Sequence, residues 1–234
     1  MRIERLDVEN AFGGYLARRR RKSPIELVTA DLDLSPATLG SLSATLSGDE
    51  WERASRLGST RDRRRWLAAR GWLRHLLADR LGCNAIDIAF ARGPYGKPRI
   101  AAPRPADRLT FSVSHSDGLA LFAFATDRPV GVDIEAVNRE LPWEGLATRF
   151  FAEPEGRHVL ELRPEQRSRG FLALWTMKEA YAKACACSVV PALKGPAMIP
   201  TTRARAAKRV RLGRWTVTSL RPAAGYVGAF AIES

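Results

Sequence analysis

The chain switches between two hydrophobic periods, and the switches predict its elements. Residues 25–30, Ile-Glu-Leu-Val-Thr-Ala, are short, apolar and β-branched, as a strand requires. From Ser47 to Leu81 the period becomes helical: Trp66, Leu67, Ala69, Leu73, Leu76 and Leu77 form an apolar stripe. Asp49 and Glu50 suit its N-terminus, Gly58 interrupts it and Gly82 is placed to stop it. A short apolar alternation at 86–90 leads into the turn Arg92-Gly93-Pro94-Tyr95-Gly96-Lys97-Pro98, and strands are predicted at 109–114, 119–125 and 130–135. Helices follow around Phe150-Phe151, at 159–162 and at 171–186, divided by Pro154 and Pro164, before residues 209–232 return to strand. The order is that of an α+β fold of two similar halves, here 25–126 and 127–234, behind a basic segment 1–24. That segment ends in the run Arg18-Arg19-Arg20-Arg21-Lys22, which gains little by packing and is expected to fray. No residue-by-residue repeat accompanies the two halves.

Composition narrows the picture. At 234 residues and 45% apolar content the chain buries a real core, which excludes general disorder. A net charge of +13 asks for an anionic partner but does not choose among nucleic acid, nucleotide, anionic lipid and acidic protein. Cys83, Cys185 and Cys187 have neither a paired framework nor zinc spacing, and read as buried thiols of a reducing compartment. No apolar run is long enough for a signal peptide or a membrane span, so the expected location is the cytoplasm.

The chemistry concentrates in two segments. In Gly131-Val132-Asp133-Ile134-Glu135 strand alternation turns both carboxylates to one face and Val132 and Ile134 to the core. In Trp175-Thr176-Met177-Lys178-Glu179-Ala180-Tyr181-Ala182-Lys183 helical spacing stacks Glu179 and Lys183 one turn apart. Three carboxylates and a lysine read as a metal and phosphate site, although each pair alone could be surface decoration. Phe111-Ser112-Val113-Ser114-His115-Ser116 ends a strand in a Ser/His/Asp/Gly turn whose backbone N–H groups and imidazole suit an anion; taken alone it is also an ordinary hairpin turn.

Tyr95-Gly96-Lys97-Pro98, Phe111 to Ser116, Gly131 to Glu135, Arg149-Phe150-Phe151 and Trp175 to Lys183, in this order and spacing, resemble the motifs of the Sfp-type 4′-phosphopantetheinyl transferases. The resemblance spans about Ser47 to Lys183, and the chain length suits the two-lobed monomeric branch of that family. It implies a pseudo-twofold monomer with its active site in the cleft between lobes, the metal site being carried by 127–234. It also implies a cytoplasmic enzyme that moves the phosphopantetheine arm of coenzyme A onto a serine of an acyl or peptidyl carrier protein and releases adenosine 3′,5′-bisphosphate. The carriers would be acidic proteins of polyketide, nonribosomal peptide or fatty acid synthesis; neither nucleic acid nor membrane is an expected partner. By the same resemblance Asp133, Glu135 and Glu179 hold Mg²⁺, with Mn²⁺ as the substitute ion. Glu179 and Lys183 are catalytic, Glu179 accepting the serine proton and Lys183 neutralising the pyrophosphate. Coenzyme A would be bound by Arg53, Arg65, Tyr95, Gly96, Lys97, Pro98, Ser114, His115 and Lys183, with His115 at the 3′-phosphate.

The sequence departs from that pattern in places. Glu50 stands where relatives often have a basic residue, and Trp66 where a small polar phosphate contact can occur. After Lys183 a glycine-rich turn is replaced by Ala184-Cys185-Ala186-Cys187-Ser188, which without glycine is expected to avoid strongly positive φ. Two rival classes compete with that reading. A basic nucleic-acid-binding module would use Arg63-Arg64-Arg65-Trp66 but leaves the carboxylates unexplained. A metal-dependent nuclease would use them, yet such sites commonly place Glu and Lys two apart on one strand. A relative that has lost catalysis and only binds carriers is disfavoured by the retained Asp133, Glu135, Glu179 and Lys183.

Overall fold

A computed structural model describes residues 3–6, 25–103, 108–138, 142–199 and 209–234. The elements are β1 (Ile3–Leu6), β2 (Ile25–Asp31), α1 (Pro36–Ser43), α2 (Gly48–Ser55), α3 (Thr60–Leu81), β3 (Ala89–Arg92), β4 (Pro98–Ala102), β5 (Leu109–Ser116), β6 (Leu119–Thr126) and β7 (Val130–Ala136). The remainder are α4 (Trp143–Phe150), α5 (Glu153–Leu160), α6 (Pro164–Cys185), α7 (Val189–Lys194), β8 (Arg209–Leu212), β9 (Trp215–Leu220) and β10 (Tyr226–Glu233).

The fold is α+β and stacks in layers. One sheet runs β1-β2-β6-β5 and a second β7-β10-β9-β8. Alternation along each strand decides what each face meets. Leu27, Leu121 and Ala123 of the first sheet pack against Val132, Ile134 and Phe230 of the second. The opposite face of the first sheet, with Val28, Phe111 and Phe122, is covered by Leu67, Trp72 and Leu76 of α3. The outer face of the second, with Val217, Ala229 and Ala231, is covered by Met177, Ala180 and Ala184 of α6. Aromatic contacts pin α4 to α6: Phe151 stacks on Phe171 at 5.0 Å, and Phe150 meets Trp175 edge-on at 5.8 Å.

Local signals in the sequence account for the helix ends. Ser47 and Glu50 close a capping box on α2, Ser59 accepts a hydrogen bond from the Asp62 amide at the start of α3, and Gly82 ends α3 at φ +64°. Pro154 and Pro164 sit in the first turns of α5 and α6, where a missing N–H costs nothing, so they open helices as well as divide them.

Four expectations are corrected. Residues 3–6 do not fray: β1 pairs in parallel with β2 and buries Leu6. The Arg18–Lys22 run lies outside the described residues. Residues 86–90 are not one extended stretch, because Ala85–Asp87 form a 3₁₀ turn and β3 starts at Ala89. The turn after Lys183 does adopt positive φ: Ala186 caps α6 at φ 49°, ψ 45°, with no glycine. That left-handed cap folds the chain back, brings the Cα atoms of Cys185 and Cys187 to 5.4 Å and lets the two cysteines pair as a disulfide instead of lying free. Among the described residues no helix is long and apolar enough to cross a membrane.

Gly131 sets how closely α6 lies on β7. A Cβ there would fall 2.1 Å from the Ala180 carbonyl oxygen and 2.5 Å from the Ala184 nitrogen, both backbone atoms that cannot swing aside. Gly131→Ala is therefore expected to destabilise the protein by about 3 kcal/mol, the cost of overpacking a core contact, and to lower activity by shifting α6 against Asp133. Chemical denaturation and an activity assay on one preparation check both effects.

Candidate active site

The site grows out of the seam between the two sheets. β5 is the edge of the first and β7 the edge of the second. What joins them is a row of serines, all on one face of β5 because side chains alternate. Ser112 Oγ accepts from the Val132 amide at 3.1 Å, and Ser116 Oγ accepts from the Ala136 amide at 3.1 Å and donates to Glu135 Oε2 at 2.8 Å. Ser114 donates to Asp133 Oδ1 at 2.7 Å. Sequence reading singled out Ser114 but missed Ser112 and Ser116, although the Ser-x-Ser-x-Ser alternation was the signal for them.

α6 closes the site from the second sheet's side. Lys183 Nζ donates to Asp133 Oδ1 at 2.6 Å and to Ser114 Oγ at 3.1 Å, and lies 3.6 Å from Glu179 Oε2. Burial pushes the Lys183 amine down, but Asp133 and Glu179 outweigh it and hold the ammonium above its ordinary pKa. Burial pushes the Glu179 carboxyl up, Asp133 and then Glu135 add to that, and Lys183 only partly opposes it. Glu179 is thus a carboxylate with an enhanced appetite for a proton or a cation.

The donor set fits a hard divalent ion. Asp133 is 3% exposed, and its Oδ2 is buried without a hydrogen-bond partner among the described residues, a costly state for a carboxylate oxygen. With Glu179 and Glu135 within electrostatic reach, the pocket is short of positive charge and offers only oxygens. Among the described residues no three acidic, His or Cys side chains already converge on a formed metal site.

Other predicted residues separate into two groups. His115 points to the opposite face of β5 from Ser114. There it lines a cleft of about 620 Å³ with Arg53, Trp66, Arg70, Gly96 and Pro98. Burial, then the Lys183 charge, depresses its pKa. Arg53 sits over the Trp66 ring at 5.8 Å. Tyr95 takes φ 56° and is 74% exposed on the turn that separates this cleft from a smaller hollow of about 230 Å³ beside Ala182 and Lys183.

Lys97 and Arg65 are placed differently from the expected phosphate contacts. Lys97 Nζ donates to the Val130 carbonyl at 2.7 Å and the Lys183 carbonyl at 2.8 Å, tying the turn to β7 and the end of α6. Arg65 gives Nε and Nη2 to the two Asp33 oxygens, both at 2.7 Å, and lies outside the cleft lined by Arg53 and His115. Its role there is to fix the loop after β2 beside Asp117 of the β5–β6 turn, 3.6 Å away.

Burial lowers Lys97 from 10.5 to about 8, with the Lys183 charge contributing. A depressed lysine pKa penalises the folded state while the group is charged, and the penalty lifts as pH rises from 8 towards 10.5. The neutral amine still has protons for both carbonyls. Relative to Lys97→Met, the wild type is expected to gain on the order of 2 kcal/mol between pH 7.5 and 10.5, measured by urea denaturation at each pH.

Most of the chain is similar to known proteins. Residues 129–231 match the 4′-phosphopantetheinyl transferase superfamily, and residues 34–127 match the N-terminal region of 4′-phosphopantetheinyl transferase. The 4′-phosphopantetheinyl transferase HetI of Nostoc sp. is 35% identical over 208 residues, covering 89% of this chain and 87% of its own. AcpT of Escherichia coli is 35% identical over 52% of this chain and 57% of its own. Sfp of Bacillus subtilis is 30% identical over 59% of each. Both halves of the chain, and the segments that carry Asp133, Glu179 and Lys183, fall inside these matches, so the chain belongs to the 4′-phosphopantetheinyl transferase superfamily of enzymes.

Proposed function

We propose that the enzyme transfers the 4′-phosphopantetheine arm of coenzyme A to a serine hydroxyl of an apo carrier protein, working as a cytoplasmic two-lobed monomer with its site in the cleft between lobes. The observation that carries this reading is the meeting of Lys183 with Asp133 and Ser114, one helical turn from Glu179, at a seam whose other side opens on the His115 cleft. A substrate with a reacting pyrophosphate and a second, separated phosphate suits such a layout, and coenzyme A has both.

In the reaction the carrier serine oxygen forms a bond to the phosphorus that bears the pantetheine arm. The bond from that phosphorus to the bridging oxygen breaks, and adenosine 3′,5′-bisphosphate leaves with the electron pair. Glu179 takes the hydroxyl proton, directly or through water, which its raised proton affinity favours. Lys183 donates to the pyrophosphate and offsets the charge that grows on the leaving oxygen. Asp133, Glu135 and Glu179 would hold Mg²⁺, which when bound supplies neutralisation of the pyrophosphate charge. Asp133 also orients Lys183, and Ser114 holds Asp133.

Mass spectrometry of candidate apo carriers incubated with enzyme, Mg²⁺ and coenzyme A tests the reading: one pantetheine-arm mass shift on serine is expected, and no shift on any carrier class would sink it. With a net charge of +13, the enzyme should meet acidic carriers under electrostatic steering. Its KM for the carrier is expected to rise several-fold between roughly 50 and 500 mM salt, and a flat response would remove steering. No observation favours the nucleic-acid or nuclease alternatives. Arg63 and Arg64, the cations such a surface would use, donate to the carbonyls of Ser55, Leu57 and Leu34.

A further inference from the structure

Two cysteines close the end of α6, and the proposed transfer chemistry uses neither. Cys185 is the final residue of the helix, Ala186 caps it at φ 49°, ψ 45°, and Cys187 follows. A left-handed conformation costs an alanine roughly 1–2 kcal/mol, because its Cβ crowds the following carbonyl oxygen. No glycine or asparagine stands at 184–188 to relieve that cost. Hydrogen bonds of the cap offset part of it: the Ala186 amide and, at 3.1 Å, the Cys187 amide both donate to the Ala182 carbonyl. The bond between Cys185 and Cys187, whose Cα atoms lie 5.4 Å apart and within the range a disulfide spans, holds the same conformation covalently. Bond and cap therefore support each other, and loss of one weakens the other.

The turn held in this way is the one that presents Lys183. The Lys183 carbonyl accepts from Lys97 Nζ at 2.8 Å, and its own Nζ reaches Asp133 at 2.6 Å. The two thiol positions differ in surroundings. Cys185 packs against the cluster that includes Met177 and Val217. Cys187 is half-buried and lines the hollow of about 230 Å³ with Lys97, Lys183 and Val189, under the exposed Tyr95. A small molecule entering that hollow meets Cys187 first.

We propose that Cys185 and Cys187 form a reversible oxidation site, closed by small-molecule disulfides and opened by small-molecule thiols, that sets the order of the turn carrying Lys183. Closure is thiol–disulfide exchange in two steps. The Cys187 thiolate attacks one sulfur of the small disulfide, whose S–S bond breaks to release one thiolate. The Cys185 thiolate then attacks the Cys187 sulfur of the mixed disulfide and expels the second. The cysteines are oxidised, the small disulfide is reduced to two thiols, and these take up the two protons that the cysteines lose. Neither coenzyme A nor a carrier enters the step.

The full-length protein is equilibrated in glutathione buffers of graded thiol-to-disulfide ratio, quenched in acid, alkylated and digested with trypsin. Cleavage after Lys183 and Lys194 leaves both cysteines, without Cys83, on residues 184–194. That peptide is expected to lose two hydrogens as the buffer becomes oxidising, and to regain them in dithiothreitol under native conditions. A peptide that stays fully alkylated in glutathione disulfide alone, or that stops at a glutathione adduct, overturns the site. So does a bond that dithiothreitol opens only in denaturant.

Hydrogen exchange, read without substrates, tests the hold on the turn. The 184–188 amides should exchange roughly tenfold faster in the reduced wild type and in Cys187→Ser than in the oxidised wild type, and equal rates remove that hold. Should Cys187→Ser fail to melt cooperatively, the two states of the wild type decide alone. In a separate assay kcat for transfer should fall severalfold when the wild type is reduced, and the same treatment should not change Cys187→Ser. A kcat indifferent to the bond overturns the link to Lys183. Protein that modifies no carrier in either state removes the transfer reading and leaves the oxidation site to be decided by mass and exchange.

Discussion

Glu179→Gln is expected to lower kcat for transfer by roughly a hundred- to ten-thousand-fold, the range over which a positioned general base contributes. Glutamine keeps the shape of the side chain but can neither take a proton nor add charge to the pocket. The same substitution should leave stability unchanged or raise it, because burial together with Asp133 and Glu135 already works against the ionised Glu179 side chain. A site that loses function while gaining stability is one where charge is held for chemistry. Asp133→Asn should be as damaging to activity by another route. It removes the negative charge on which Lys183 rests at 2.6 Å, so the ammonium loses its fixed aim. Single-turnover mass spectrometry of a carrier, paired with thermal melts of each variant, reads both quantities. Wild-type rates for Glu179→Gln would remove it from the mechanism.

The largest loss of stability is expected from the residue next to it. Lys178 and Glu155 are both buried, 0% exposed in their side chains, and their charged atoms lie 2.9 Å apart. Glu155 also accepts from the Ala152 amide at 3.0 Å, closing the first turn of α5, and from the Met198 amide at 2.7 Å. Lys178→Met leaves that carboxylate buried with its backbone donors but no countercharge, a change that typically costs 3–5 kcal/mol, or on the order of 10 °C in melting temperature for a chain of this size. Adding Glu155→Gln should recover only part, because one amide group cannot accept from both backbone donors and fill the lysine's place. Denaturant titration of the single and double variants gives the cycle. A loss below about 1 kcal/mol for Lys178→Met would show that the pair contributes little.

The adjacent Lys178 and Glu179 show how much of the site could be read beforehand. Helical spacing put Glu179 and Lys183 on one face, and they do lie there, 3.6 Å apart. Nothing in the local pattern distinguished Lys178, whose partner is 23 residues away in sequence on another helix. Lys97 and Arg65 illustrate the same limit. Each sits in a motif or at a position that suggests a phosphate, yet each spends its charge on the protein, Lys97 on the carbonyls of Val130 and Lys183 and Arg65 on Asp33. A cation's partner is a long-range fact, and composition does not carry it.

Period and punctuation along the chain suffice for the α+β class, for the strand that turns Asp133 and Glu135 to one face, and for helix ends at Ser47 and Gly82. These depend on backbone sterics and on side chains within one turn. Tertiary structure decides the rest: the serine seam between β5 and β7, the close approach of α6 at Gly131, and the division of cations between structural partners and an open cleft. Those outcomes depend on which surfaces meet across long sequence separations, where packing and desolvation, not local propensity, determine whether a charge is satisfied or left to bind something else.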